Sequence, residues 1–296
     1  PGRAFASPGG RKEAMTLEHL LTMTAGLEWA EGDPTYRRMY ASNDWLRFML
    51  DRPMAEDPGS RFNYCSGCSH VLSAIVQEST GMPTLRFARQ YLFDPLGIVD
   101  MVWETDAQGI PIGGWGLRLT PRDMAKLGQL YLDGGTWEGR QVVSSAWVRA
   151  ATTRHVATDG ELGYGYQWWT YPEWGAYTAR GRGGQLIFVI PGLKIVAVFT
   201  AGEQDDRAFF TLIKEYILPN NQTAEEALQA NQQTLSGKSQ YLALLYRPAL
   251  LAQARIRLFQ RKYGLQTEVV RTVLASGLSQ YGAVDWQKYL VPPIDP

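Results

Sequence analysis

The stretch RFNYCSGCSH, residues 61–70, gathers the most suggestive side chains of the chain. It holds both cysteines, Cys65 and Cys68, spaced as C-x-x-C, and a Tyr two residues before a Ser, Tyr64 and Ser66. Two chemistries compete for it. The thiol reading needs more than the spacing offers. Zinc takes four ligands, and the three histidines, His19, His70 and His155, are scattered with no second cysteine pair. A redox dithiol is expected behind an apolar strand, whereas PGSRFNY is polar and turn-like. The cysteines therefore read as small residues buried at a helix start, and no metal site is expected.

The tyrosine reading asks for a base, a polar helper and a set of backbone donors. A phenol at a helix N-terminus feels the positive end of the dipole, which favours the phenolate. Ser66 is placed to hydrogen-bond into the same site. Further along, RGRGGQ sets a cation, Arg182, beside Gly183 and Gly184, whose N–H groups carry no side-chain shield, at the edge of a strand that begins near Gln185. Base, helper and oxyanion donors would suit acyl transfer. On these facts alone a core tyrosine and a tightly packed hairpin explain the same residues. GRGGQ precedes a strand instead of a helix, the wrong order for a phosphate cradle. No histidine sits in a G-x-S-x-G or H-E-x-x-H context.

The elements that would hold these residues are legible in part. Thr16 caps a short helix ended by Gly26, and Asn43 begins another. A helix from about Gly67 to Thr80 buries Val71, Leu72, Ile75 and Val76 and stops at Gly81; Thr84 opens the next. GIPIGGWGLRL is too glycine-rich for a helix. TPRDMAKLGQLYLDGG is the best-marked helix, with Thr120 as cap, Pro121 at its first position and Gly134–Gly135 at its end. Ser144 or Ser145 caps a further one. YGYQWWTY, QLIFVIP and KIVAVFTA read as strands, the last two joined by a tight PGLK turn. A helix from about Asp205 to Leu218 would turn Phe209, Leu212, Ile213 and Tyr216 inward. The fold class is α/β of the mixed α+β kind, an antiparallel sheet flanked by helices.

After PNNQ the character changes. Residues 222–296 read as a helical extension to a domain covering 1–221, with a long helix from about Ser239 to Tyr263. Between Lys238 and Arg271 stand Lys238, Arg247, Arg255, Arg257, Arg261, Lys262 and Arg271 against one acid, Glu268. That is a solvated face, or a basic surface for an acidic partner or a membrane headgroup layer.

Composition narrows the classes. The 29 basic and 29 acidic residues cancel, so whole-chain charge gives no reason to expect nucleic acid. Two cysteines are too few for a disulfide framework. The first residues, PGRAFASPGGRKEA, have no signal-peptide pattern and no initiator Met, which points to a processed or truncated product.

Several stretches together resemble the serine β-lactamase-like hydrolases, the broad family of class C β-lactamases, D-alanyl-D-alanine peptidases, esterases and 6-aminohexanoate-dimer hydrolases. MTLEHLLTMTAGLEW resembles the segment after that family's nucleophile helix. PGSRFNYCSGCSHVLSAIVQESTG resembles its Tyr-x-Asn or Tyr-x-Ser motif and the helix behind it. GWGLRLTPRDMAKLGQLYLDGGTWEGRQVVSSAWV is similar to a long family segment, and ARGRGGQLIFVIPGLKIVAVFTAG to the Lys-Thr-Gly or His-x-Gly strand and its partner. The likeness runs from about residue 14 to 218, in the family's order, and is nearest its aminohexanoate-dimer-hydrolase and esterase side.

The resemblance implies a β-lactamase/transpeptidase-like fold and a serine hydrolase acting through an acyl-enzyme on a small amide, ester or peptide, without metal or cofactor. Tyr64 would be the general base and Ser66 would stand where the family has Asn or Ser. Arg182, Gly183 and Gly184 would replace Lys-Thr-Gly, with the Gln185 N–H as an oxyanion donor. Arg182 keeps the charge but is bulkier than Lys, and Gly183 lacks the hydroxyl that helps bind a β-lactam carboxylate. Trp115, Tyr164, Tyr166, Trp168 and Trp169 would line an aromatic cleft, or could equally be core. Family members are often exported.

One departure is large. The family's nucleophile lies in Ser-x-x-Lys, and this chain contains no Ser-x-x-Lys. Three explanations stand. The chain is a fragment or one half of a split enzyme, its partner an N-terminal piece of the same protein. It is an inactive relative used for binding or assembly. Or another serine, such as Ser7, serves as nucleophile, although ASPGGRK offers no Lys at helical spacing.

Overall fold

The structure is a computed structural model and describes residues 10–32, 34–158, 160–202, 207–214 and 242–246. In chain order the helices are α1 (Leu17–Leu21), α2 (Pro34–Ala41), α3 (Trp45–Leu50), α4 (Ser66–Thr80), α5 (Thr84–Ala88), α6 (Pro121–Leu132), α7 (Ser145–Thr152) and α8 (Arg207–Leu212). The strands are β1 (Val102–Trp103), β2 (Leu117–Arg118), β3 (Thr136–Trp137), β4 (Arg140–Gln141), β5 (Val156–Ala157), β6 (Gly163–Tyr164), β7 (Trp169–Tyr171), β8 (Ala176–Gly181), β9 (Gln185–Ile190), β10 (Ile195–Thr200) and β11 (Leu242–Tyr246). Helices and antiparallel strands make this a mixed α/β fold, as the sequence leads one to expect.

The chain divides into two compact units. Among the described residues the first comprises residues 10–120 and 133–177 and the second residues 121–132 and 178–246, so the chain crosses between them at each end of α6 and within β8.

The first unit is helical at its centre. Thr16 caps α1 by accepting the His19 N–H at 3.4 Å, and the His19 ring Nδ1 accepts the Thr16 N–H at 3.2 Å. This reciprocal pair makes His19 a capping residue. α3 is capped by Asp44, one residue beyond the expected Asn43, through the Arg47 N–H at 2.8 Å. α4, the longest helix here at 15 residues, starts from Cys65 and ends at Gly81, which takes the left-handed conformation (φ 66°) that spares glycine a Cβ clash. Its inner face joins Trp29, Met39, Trp45, Met49, Ile110 and Ile112 in one core. The region read as one strand, YGYQWWTY, is two, β6 and β7. They turn at Gln167, whose φ is 64°, and β5, β6 and β7 form an antiparallel meander. Several elements carry too little pattern to be expected: α2, the short strands β1 and β5, β8 and the small β3–β4 hairpin.

In the second unit β8 to β11 lie side by side in chain order. The register of β9 against β10 pairs Phe188 with Ala197 and Leu186 with Phe199, so these four share one face. The rings of α8 lie on that face: Phe209 meets Phe199 at 5.1 Å and Phe210 meets Phe188 at 6.2 Å. The opposite face carries Ile187 and Val196 and receives α6. A Cβ at Gly128 would fall 2.5 Å from Val196 Cγ1 and 2.9 Å from Ile187 Cγ2, so only glycine permits this approach. Coverage on both faces explains why QLIFVI and IVAVFT are continuous apolar runs without alternation.

The C-terminal reading needs correction. Residues 242–246, expected inside a long helix, form β11, antiparallel to β10, with Ala197 opposite Leu245. LALLY is a short apolar run, and periodicity alone does not separate a strand from a buried helix in so few residues. The rest of the expected extension lies outside the described residues, as do Tyr216 and the basic positions from Lys238 to Arg271. No helix among the described residues is long and apolar enough to cross a membrane.

Candidate active site

Tyr64 stands one residue before the cap of α4, in an extended segment strapped to residues 23–31. The Asn63 N–H donates to the Met23 carbonyl at 2.8 Å, and the Asn63 side chain donates to the Trp29 carbonyl at 2.9 Å. The Cys65 N–H points at Met23 Sδ, 3.4 Å away. Met23 is buried with φ 59°, an uncommon conformation for a side-chain-bearing residue, held by these contacts. Glu31 completes the strap. Its Oε1 accepts the Ser66 N–H at 2.6 Å and the Trp29 indole N–H at 2.8 Å. A carboxylate is thereby fixed on the first turn of α4, where the helix leaves its N–H groups unpaired and the dipole favours negative charge.

The Tyr64 ring is half-buried in an aromatic cluster. It stacks on Trp169 of β7, centroids 5.8 Å apart and planes at 23°, and meets Tyr164 of β6 edge-on at 6.4 Å. Phe62 closes the group against Tyr164 at 5.2 Å and Trp169 at 5.6 Å. Burial, and then the neighbouring Tyr64, push the Tyr164 phenol well above its ordinary pKa, so Tyr164 keeps its proton at neutral pH. Ser66 is buried, and Gly114 lies against it: a Cβ there would come within 2.8 Å of the Ser66 carbonyl oxygen. The glycine-rich loop at 113–116 is thus shaped to lie on the head of α4.

The five aromatic residues expected in a cleft fall into separate ring groups. Tyr164 and Trp169 surround Tyr64. Trp115 packs between Tyr36 and Trp45. Tyr166 stacks on His155, centroids 4.1 Å apart, contacts Trp147, and donates its hydroxyl to Glu18 at 2.8 Å. Trp168 meets Tyr177 edge-on at 5.2 Å.

Arg182, Gly183 and Gly184 belong to the second unit and form the turn between β8 and β9, with Arg182 exposed. Gly183 and Gly184 have φ of 81° and 76°. A Cβ at Gly184 would sit 2.6 Å from the Phe209 ring, so this position has neither the conformation nor the space for another residue. Gln185 opens β9, and its side-chain amide donates to the Ala201 carbonyl at 2.6 Å and the Gly183 carbonyl at 3.3 Å, stapling the turn.

Sequence reasoning did not find Met23, Glu31 or Asn63 as supports of this site. Glu31 lies 35 residues from Ser66, with no local pattern to mark it. The cysteines are buried, as expected, but they are also joined in a disulfide, and the Cys65 sulfur accepts the Cys68 N–H at 3.0 Å as the cap of α4. Among the described residues no group of three or more His, Cys, Asp or Glu side chains is placed to hold a metal ion.

Residues 4–218, most of the chain, match the family model Beta-lactamase. The chain belongs to the Beta-lactamase family. Within it the chain is 34% identical over 149 residues to the 6-aminohexanoate-dimer hydrolase of Paenarthrobacter ureafaciens, a match covering 46% of this chain and 38% of that protein. It is 31% identical over 134 residues to the lovastatin esterase of Penicillium rubens, covering 41% of this chain and 32% of that one. Among solved structures, a candidate 6-aminohexanoate-dimer hydrolase from Bacillus anthracis superposes with a TM-score of 0.61 at 22% identity, over 75% of this chain and 63% of that one. At that identity the likeness speaks for the fold. In each comparison the chain spans less than two thirds of its relative. Among the relatives of this Beta-lactamase family chain are thus a 6-aminohexanoate-dimer hydrolase and a lovastatin esterase.

Proposed function

We propose that this chain carries the base and the oxyanion turn of a serine hydrolase that cleaves an amide or ester through an acyl-enzyme. The observation that carries the reading is Tyr64 itself. A phenol stands at the head of a 15-residue helix, its neighbours Asn63, Cys65 and Ser66 tied to Met23, Trp29 and Glu31 and its own ring backed by Trp169, on the stretch that resembles the family's Tyr-x-Ser motif.

In this reading the Tyr64 oxygen takes the proton of a serine hydroxyl as that oxygen attacks the substrate carbonyl carbon. The carbonyl oxygen becomes an oxyanion and is met by backbone N–H donors; the resemblance to the family's third motif is what would assign the Gln185 N–H to that role. Collapse expels the amine or alcohol, to which the Tyr64 hydroxyl returns the proton. Water then repeats the cycle on the ester intermediate, with Tyr64 again as base. In this reading Ser66 would take the place of the motif's polar helper, and Arg182 would supply positive charge at its own turn. Tyr164 and Trp169 shape the apolar wall beside the phenol. Substrates would be small amides, esters or peptides, in keeping with the activities in the names of the two relatives.

The nucleophile would come from a Ser-x-x-Lys segment outside these residues, most simply an N-terminal part of the same protein. The absence of that motif within the chain also favours a second reading, an inactive relative that binds or assembles. One experiment separates them. The protein is purified from its native source, sequenced from its N-terminus and treated with a fluorophosphonate probe. The hydrolase reading expects one labelled serine, followed three residues later by lysine, on this polypeptide or on one that travels with it. A complete preparation in which no serine is labelled would establish the inactive relative instead.

A further inference from the structure

The C-x-x-C pair is chemistry that acyl transfer leaves unused. Its disulfide joins the cap of α4, Cys65, to the third residue of the helix, Cys68. The bond therefore encloses Ser66 and Gly67 and adjoins Tyr64. The candidate base is thus directly attached to the turn held by the sulfurs.

That turn has little room to absorb a change. A Cβ at Gly67 would meet the Met49 thioether and come within 3.0 Å of the Trp29 ring. The backbone at Gly113 and Gly114 presses on the Ser69 and Ser66 carbonyls. Two thiols are no longer bonded and keep van der Waals separation, so they need more space than the joined pair. In a close-packed interior such a demand is met by moving backbone, and here the backbone between the sulfurs is the first turn of α4. The position also favours reversibility. A helix N-terminus stabilises the thiolate, and with it the reduced form. Cys65 and Cys68 are 2% and 1% exposed, so exchange must run through local opening of this turn.

We propose that Cys65–Cys68 is a reversible redox site, open to a dithiol reductant, whose state sets the geometry of Tyr64 and Ser66. One thiolate of the reductant attacks a cysteine sulfur, and the other cysteine leaves as a thiolate and is protonated. The second thiol of the reductant then resolves the mixed disulfide. Two electrons pass from the dithiol, which ends as a cyclic disulfide, to the cysteines, which end as two thiols. The effect on turnover rests on the acyl-transfer reading; the sulfur chemistry does not.

The test equilibrates the full-length protein in buffers of graded reduced-to-oxidised dithiothreitol. Thiols are trapped by alkylation and counted by mass, while melting temperature, tryptophan fluorescence and ester turnover are followed in parallel. The expected result is a single two-electron transition in which the protein stays folded. Turnover falls roughly tenfold or more in step with the thiol count, as a displaced base requires, and returns on reoxidation. The double variant Cys65→Ala/Cys68→Ala loses all response to the dithiol. Unchanged turnover in protein bearing two free thiols overturns the proposal. So does reduction that unfolds the chain, which makes the bond a structural staple, and so does a bond that dithiothreitol does not open. If the oxidised protein has no turnover, it is the acyl-transfer reading that fails. The redox site is then judged by fluorescence: a shift in step with the thiol count supports it, and no shift overturns it.

Discussion

Tyr64 and Trp169 lie ring against ring, 5.8 Å between centroids with planes 23° apart. One comes from the segment entering α4, the other from β7, so a helix start and a strand meander are keyed together at the phenol. Tyr164 and Phe62 complete the aromatic side of the support, and residues 23–31 supply hydrogen bonds to the segment that carries the phenol. Four expectations follow from this arrangement.

Glu31 ties the Ser66 N–H to the Trp29 indole. Glu31→Ala should lower stability by about 1 kcal/mol, the usual cost of losing an acceptor at a helix N-terminus. Glu31→Gln keeps an acceptor oxygen and should recover part of that loss. Urea midpoints of the two variants check this; equal losses would mean that the charge alone matters at Glu31, and no loss in either that the contact contributes nothing.

Gly113 is held against α4, where an added Cβ would run into the Ser69 carbonyl, whereas Gly192 has nothing within 4 Å. Gly113→Ala should destabilise the fold by roughly 1–3 kcal/mol and disturb the head of α4, with Gly192→Ala close to neutral. Calorimetry of both variants reads the contrast. Similar melting temperatures would show that the 113–116 loop yields without cost.

His70 is fully buried, with its Nε2 3.0 Å from Asp106 Oδ2. Burial pushes its pKa below the ordinary value, while Asp106 and Asp44 pull the other way. Because the folded value is the lower one, the unfolded chain takes up this proton first as the solution is acidified. The contribution is complete above about pH 6.5, the unfolded value, and is lost as pH falls from there through the folded pKa. Melting temperature should decline over that interval, and His70→Gln should flatten the decline while lowering the whole curve. A variant with the same slope as the wild type would remove His70 as its source.

The parts of this fold that the sequence shows are those written in local chemistry. Thr16, Ser144 and Gly81 mark helix ends, and the runs QLIFVI and IVAVFT mark buried strands. Tyr64 and Ser66 stood out because a motif places them together. What the sequence hid depends on contacts between distant residues. Glu31 reaches Ser66 across 35 positions, and Met23 supports Asn63 and Cys65 through a backbone conformation that no residue type announces. β11 was hidden for another reason: an apolar pentapeptide becomes a strand only because β10 is there to pair with it. The aromatic residues near 164–169 are conspicuous by composition, yet the turn at Gln167 decides which of them face Tyr64.

The central claim is that Tyr64 acts as the general base. It is tested most directly by single-turnover acylation of the full-length protein with an activated ester, comparing wild type with Tyr64→Phe. Phenylalanine keeps the ring and its place beside Trp169 and removes only the oxygen. The account predicts folded protein with the wild-type melting temperature and an acylation rate lower by roughly 10²–10⁴-fold. A Tyr64→Phe protein that acylates at the wild-type rate would contradict it.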